Sequence, residues 1–219
     1  MNTDDIMNIQ HLGRADYLQV FQAMRNFTES RTDETEDELW VVEHNPVFTL
    51  GLAGDPAHLL NAGDIPLVQS DRGGQITYHG PGQIVLYPLI NLHRHGLRVR
   101  EYVHLLEQVI IDTLDEVGVA GAQRKPGAPG VYIPGGGELA KIAALGIKVR
   151  KGCTYHGLSL NVDMDLSPFL QINPCGYRGL ETVDIASTGV KISFNEMQTH
   201  LVKNLVCQLE AARSAANPQ

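Results

Sequence analysis

Cys175 stands in NPCGYRG, residues 173–179, between a proline and a glycine. Pro174 and Gly176 imply a loop or turn, where a sulfur is exposed and two successive backbone N–H groups can face an oxyanion. A thiol of ordinary pKa, about 8.5, is only a few per cent ionised at neutral pH, so a nucleophilic role requires a neighbour that favours the thiolate. Lys141 is a candidate for that neighbour. It lies in GGGELAKIAALG, residues 135–146, flanked by Leu139, Ala140, Ile142, Ala143, Ala144 and Leu145. Such a lysine is either an outward-facing strand residue or a partly desolvated ammonium able to pair with a reactive cysteine.

The densest cluster of functional residue types is DRGGQITYHGPG, residues 71–82. Its glycines permit close backbone approach or positive φ. The segment reads either as two tight turns flanking a two-residue strand or as a pocket wall carrying Arg72 and His79. Cys153 and His156 are three apart in a β-prone stretch and would face opposite sides, and the His93/His95 pair has no second pair at ligand spacing, so no metal site is expected. Cys207 falls in an apolar helical pattern and reads as a small buried hydrophobe. Gly135, Gly137 and Ala140 match the dinucleotide fingerprint formally, but a β-like segment follows where a helix is required, so a glycine-rich hairpin loop is expected.

Several elements must position these groups. Tyr17, Phe21, Met24 and Phe27 recur at helical spacing and predict a helix over about 14–30. Strands are expected at 38–43, 47–50, 65–69 and 83–90, with Pro88 marking an edge or bulge. Val103, Leu106, Ile110, Leu114 and Val117 predict a helix over about 99–117, stopped by Gly118. Short strands follow at 130–133, 140–149 and 157–162. Ser193 and Glu196 form a capping box for a last helix, with a frayed tail beyond it. Strands outnumber helices too heavily for regular βαβ alternation, so a mixed α/β (α+β) domain is expected.

The chain has 219 residues, with 17 basic and 25 acidic side chains and a net charge of −8. At 43% hydrophobic and 19% charged, it can bury a sizeable core as one domain, residues 1–219. The acidic balance and the lack of a basic run argue against nucleic acid. The acidic N-terminus lacks a signal-peptide charge, and no apolar run approaches a membrane span, which predicts a cytoplasmic protein with no membrane partner. Three cysteines with no C-x-x-C pair exclude a disulfide framework.

RGGQITYHGPGQ (72–83), GVY (130–132), KIAALG (141–146), HGLSLNV (156–162) and NPCG (173–176) resemble, in order, the signature segments of the octanoyltransferases, or lipoate-protein ligase B family. The resemblance covers about residues 10–210. It implies a mixed β-sheet with flanking helices, similar to the biotin/lipoate-protein ligase catalytic domain, and an acyl tunnel. It also implies octanoyl transfer from acyl carrier protein to a lysine on lipoyl domains of 2-oxoacid dehydrogenases or on the glycine-cleavage H protein, without a cofactor. Carried over to this chain, Cys175 would hold the acyl thioester and Lys141 would lower its pKa. Arg72, Gly73, Gly74, Gln75, Ile76, Thr77, Tyr78 and His79, with Ala144, Leu145, Gly146, Gly157, Leu158 and Ser159, would line the substrate pocket. Acidic partners would call for local basic residues, for which Arg124, Lys125, Lys148, Arg150, Lys151 and Arg178 are candidates. Two rival readings are an ATP-dependent ligase on the same fold, disfavoured by the lack of a GRGRxGR-like loop, and a noncatalytic acyl-binding module.

Overall fold

The computed structural model describes residues 7–136, 138–173 and 180–217. The elements run β1 (Asn8–Ala15), α1 (Tyr17–Ser30), β2 (Glu38–His44), β3 (Val47–Leu50), β4 (Leu67–Gln69), β5 (Ile76–His79), β6 (Gln83–Leu89), α2 (Val99–Glu116), β7 (Gln123–Lys125), β8 (Ala128–Pro134), β9 (Leu139–Arg150), β10 (Cys153–Asn161) and α3 (Phe194–Ala216). A seven-stranded mixed sheet has the order β1-β2-β6-β10-β9-β8-β7, and a second sheet has the order β4-β3-β5.

Alternation along the central strands separates two cores. Leu39, Val41, Ile84, Leu86, Leu158 and Leu160 face α2 and α3, packing on Leu106, Ile110, Leu114, Leu201 and Leu205. Trp40, Val42, Val85 and Tyr87 face the other way, toward Tyr17, Val20, Phe21 and Met24 of α1. The small sheet closes over its own cluster, in which Phe48, Leu50, Ile76 and Tyr78 meet Phe169 and Ile172.

Local signals held well for the helices. Asp16 caps α1 by accepting from the Gln19 N–H. Gly118, with φ of +90°, ends α2, and Ser193 and Glu196 exchange both bonds of a capping box on α3.

Several expectations need correction. The tail is helical to Ala216 rather than frayed, and Asn217 Nδ2 ties it to the Arg94 carbonyl at 3.2 Å. Cys207 is exposed, because Leu201, Leu205 and Leu209 set the buried face of α3 and Cys207 lies two positions from the last two. Pro88 sits in a central strand. The β6–β10 ladder runs only from Gln83↔Asn161 to Leu86↔Leu158, so no backbone N–H is required of Pro88 there, and its carbonyl accepts from the Thr154 hydroxyl of β10 at 2.8 Å. Strands β1 and β7 escape the sequence reading because both are sheet edges with polar sequences, NIQHLGRA and QRK, and no apolar alternation. The 71–82 segment contains a four-residue strand, β5, rather than two residues between turns.

Candidate active site

A narrow cleft lies between the large sheet and the segment running from Arg72 through β5. Its cavity volume is only about 70 Å³, so the cleft is a slot. Its floor is built in cross-strand rows. Val85, Ser159 and Ala144 form the middle row, Gln83 and Asn161 lie on one side, and Gly157 and Gly146 lie on the other beside Tyr87. Gly157 is required there, since a β-carbon on it would stand 2.1 Å from the Leu86 carbonyl oxygen.

Lys141 reaches this floor through a β-bulge. Val131 pairs with Ala143 and Tyr132 pairs with Lys141, leaving Ile142 as the extra residue in β9. The bulge turns Lys141 to the cleft side, with Ala144 and Gly146, while Ile142 joins the core under α2 and Ala143 borders both. Lys141 is 6% exposed, so the outward-facing reading of it is wrong. Its Nζ donates to the Pro129 carbonyl at 3.2 Å and lies 5.3 Å from the centre of the Tyr132 ring. Gly130, at φ of +137°, leaves room for the lysine stem, and its N–H is held at 3.0 Å by the buried Glu107 carboxylate of α2. The Lys141 backbone accepts the Val183 N–H and donates to the Glu181 carbonyl, which seats Thr182 at the cleft.

Cys175 and Arg178 lie outside the described residues. The chain approaches that stretch from Phe169 and leaves it toward Thr182, both of which line the cleft.

Among the remaining expected pocket residues, Arg72, Gly74, Gln75, Ile76, Thr77, His79, Ala144, Leu145, Gly146, Gly157, Leu158 and Ser159 line the slot, whereas Gly73 and Tyr78 do not. Tyr78 points away from His79 on β5 and packs between Phe48 and Phe169, at ring distances of 5.6 and 5.5 Å. Gly73 is held to the Ile147 carbonyl at 2.9 Å and lines a neighbouring groove with Gly127, Ala128 and Pro129. Arg72 is buried and binds the Thr49 carbonyl at 2.7 Å, the Thr49 hydroxyl at 2.8 Å and the Gly73 carbonyl at 2.9 Å. It thus fastens the slot's lid to β3.

Two buried histidines that the sequence did not group, His79 and His156, line the slot, and a third, His44, packs behind them against His79 and Tyr87. Burial pushes His44 down to about 4 against the bond from its ring to the Ala15 carbonyl. His79 is pushed down to about 3 by burial, with His44 next to it. His156 is lowered by burial, outweighing Asp71. All three are therefore neutral at pH 7. Tyr87 Oη donates to His44 Nε2 at 2.8 Å, since His44 Nδ1–H is committed to the Ala15 carbonyl. His156 has φ of +59°, and its Nε2–H donates to Asp71 at 2.8 Å. Burial would raise Asp71, but the bonds from His156 and Tyr155 hold it below the ordinary carboxylate value.

Tyr17, Gln83, Val85, Tyr87, His156, Asn161, Phe169 and Thr182 also line the slot. For three of them a signal existed: Gln83, Val85 and Tyr87 alternate in QIVLYPL, which separates a cleft face from the Ile84/Leu86 core face.

No group of three or more His, Cys, Asp or Glu side chains gathers as a metal site among the described residues, and no described helix is long and apolar enough to cross a membrane.

The architecture is similar to that of a bi-partite lipoate protein ligase from Thermoplasma acidophilum, with a TM-score of 0.74 at 15% identity, covering 93% of this chain and 84% of that one. It is also similar to biotin protein ligase from Aquifex aeolicus, with a TM-score of 0.55 at 12% identity, covering 95% and 72%. At such identities these likenesses show the fold alone. In sequence, an octanoyltransferase of Bordetella petrii is 62% identical over 197 residues, 89% of this chain and 92% of that protein. One from Burkholderia pseudomallei is 56% identical over 212 residues, 96% and 94%. The family model for the lipoyl protein ligase A/B catalytic domain matches residues 16–206, and the chain belongs to that family, among its octanoyltransferases.

Proposed function

We propose that this protein transfers an octanoyl group from acyl carrier protein to a specific lysine of lipoyl domains, through a thioester on Cys175. The observation that carries the reading is the place of Lys141: a buried lysine at the floor of a narrow slot, paired through its backbone with the strand-like segment that follows residues 174–179.

In the first step the Cys175 thiolate, paired with the Lys141 ammonium, attacks the donor thioester carbonyl. The carrier's sulfur leaves and takes a proton from Lys141. In the second, the acceptor lysine attacks the acyl-enzyme, loses a proton to the now neutral Lys141 and regenerates the thiolate. Thioester exchange is nearly isoenergetic, so the donor already carries the activation and ATP is not needed. The slot supports an acyl substrate, since eight carbons at about 0.8 kcal/mol per buried CH₂ contribute several kcal/mol of binding.

For the protein partners, Arg124 is engaged by Glu107 at 3.1 Å, Arg150 by Glu29 at 3.4 Å, and Lys125 sits over the Tyr132 ring at 5.9 Å, so among the described residues of that group Lys148 and Lys151, near the β9–β10 turn, are the better docking candidates.

Incubating the protein with octanoyl-acyl carrier protein without ATP, then measuring intact mass, tests the reading. A hydroxylamine-labile increment of about 126 Da that is absent in Cys175→Ser is expected. A requirement for ATP, or binding with no adduct, would overturn it.

A further inference from the structure

A chain of amide hydrogen bonds sets the protonation pattern of His79. Asn161 Nδ2 lies 2.9 Å from the Val183 carbonyl, which can only accept, so Asn161 Oδ1 faces the other way. That oxygen lies 2.9 Å from Gln83 Nε2, making the Gln83 nitrogen the donor. Gln83 Oε1 is then the atom 2.7 Å from His79 Nδ1, so Nδ1 carries the hydrogen. Burial keeps the ring neutral, so Nε2 is left as a bare lone pair, and among the described residues no hydrogen bond uses it. His79, Gln83 and Asn161 are 6%, 1% and 4% exposed, and all three line the slot. Val183, where the chain of bonds starts, also donates its N–H to the Lys141 carbonyl, so the relay and the lysine share one anchor.

A bare acceptor in this slot is of use in only one of the two half-reactions. The donor thioester brings a carbonyl and a sulfur to the reacting centre, neither of which has a hydrogen to give. The acceptor lysine brings N–H groups. We infer that His79 Nε2 accepts an N–H of the attacking lysine amine and so aims its lone pair at the acyl carbonyl, with Gln83 and Asn161 as positioning residues that fix the histidine tautomer. Lys141 remains the proton acceptor. This assignment rests on the thioester reading of Cys175.

The test separates the half-reactions. Acyl-enzyme is formed with octanoyl-acyl carrier protein and then discharged with a lipoyl domain, both steps being followed by intact mass. His79→Ala is expected to slow discharge at least tenfold more than it slows acylation, about 1.4 kcal/mol or more of transition-state stabilisation lost specifically from the second half-reaction. Gln83→Glu places a carboxylate against Nδ1, which favours the imidazolium and puts a hydrogen on Nε2. Discharge should then acquire an acid limb absent from the parent, read against the other groups around the ring: Tyr17 of α1, His44 of β2, Arg72 and His156 of β10. A merely structural role for Gln83 would not create that limb. Should His79→Ala fail to fold, the isosteric Gln83→Glu carries the test by itself. If the parent forms no adduct, the thioester reading fails. If the parent forms the adduct and both variants discharge it like the parent, with no new acid limb, the His79 assignment is overturned and the thioester reading stands.

Discussion

Gly130 holds open the space that the Lys141 side chain occupies: a β-carbon on Gly130 would stand 2.6 Å from Lys141 Cε and 2.8 Å from the Ala143 carbonyl oxygen. The lysine can yield, but the backbone oxygen cannot, and φ of +137° is closed to an L side chain. Gly130→Ala is expected to lower stability by about 1–3 kcal/mol and to reduce octanoyl transfer by displacing Lys141. Urea unfolding and a transfer assay read the two effects. An alanine variant with parental values in both would show that the lysine needs no such gap.

Lys141→Arg keeps a positive charge but removes a usable proton acceptor. Acylation of Cys175 should survive in part, whereas discharge to the acceptor lysine should fall by about 100-fold or more, within the range for loss of general-base catalysis. Single-turnover mass measurements resolve the two steps. Normal discharge in this variant would remove Lys141 from the role of base.

The middle row of the floor predicts acyl selectivity. Two residues of strand separate neighbouring rows on one face, roughly 7 Å, so an extended octanoyl chain must cross the Val85, Ser159 and Ala144 row to run from one end row to the other. Ala144→Leu should therefore depress octanoyl transfer at least tenfold while sparing a four-carbon acyl donor. Equal losses for both chain lengths would place the acyl group elsewhere.

Stability should fall on mild acidification. The unfolded chain protonates His44 and His79 below their ordinary value of 6.5, whereas the folded protein resists until about 4 and about 3, because burial disfavours the cations. The folded state thus binds fewer protons, and the stability these residues contribute is complete above pH 6.5 and is lost as pH falls from there toward 3. Each unit of depression corresponds to about 1.4 kcal/mol. The urea midpoint at pH 5 should be clearly below that at pH 7, before the carboxylates titrate. Identical midpoints would contradict neutral, buried histidines.

What the sequence settles by itself is local or compositional. The capping box of Ser193 and Glu196, the stop at Gly118 and the periodic faces of α1 and α2 each involve residues within a few positions of one another, so short-range geometry decides them. The ordered motifs from Arg72 to Cys175 likewise place the chain in its family.

The tertiary structure decides which way the site's side chains face. Lys141 turns into the slot because one extra residue, Ile142, shifts the register against β8. His79 takes its tautomer from an amide relay in which Gln83 and Asn161 are 78 positions apart, and His156 meets Asp71 across 85. Tyr78 and His79 are adjacent in sequence and serve different cores, because β5 packs on both faces. Such relationships depend on strand register and on hydrogen bonds between distant segments, and no local propensity encodes either. The residue types alone therefore named a cysteine, a lysine and a glycine-rich wall, and packing determined which groups line the slot and which tautomer His79 holds there.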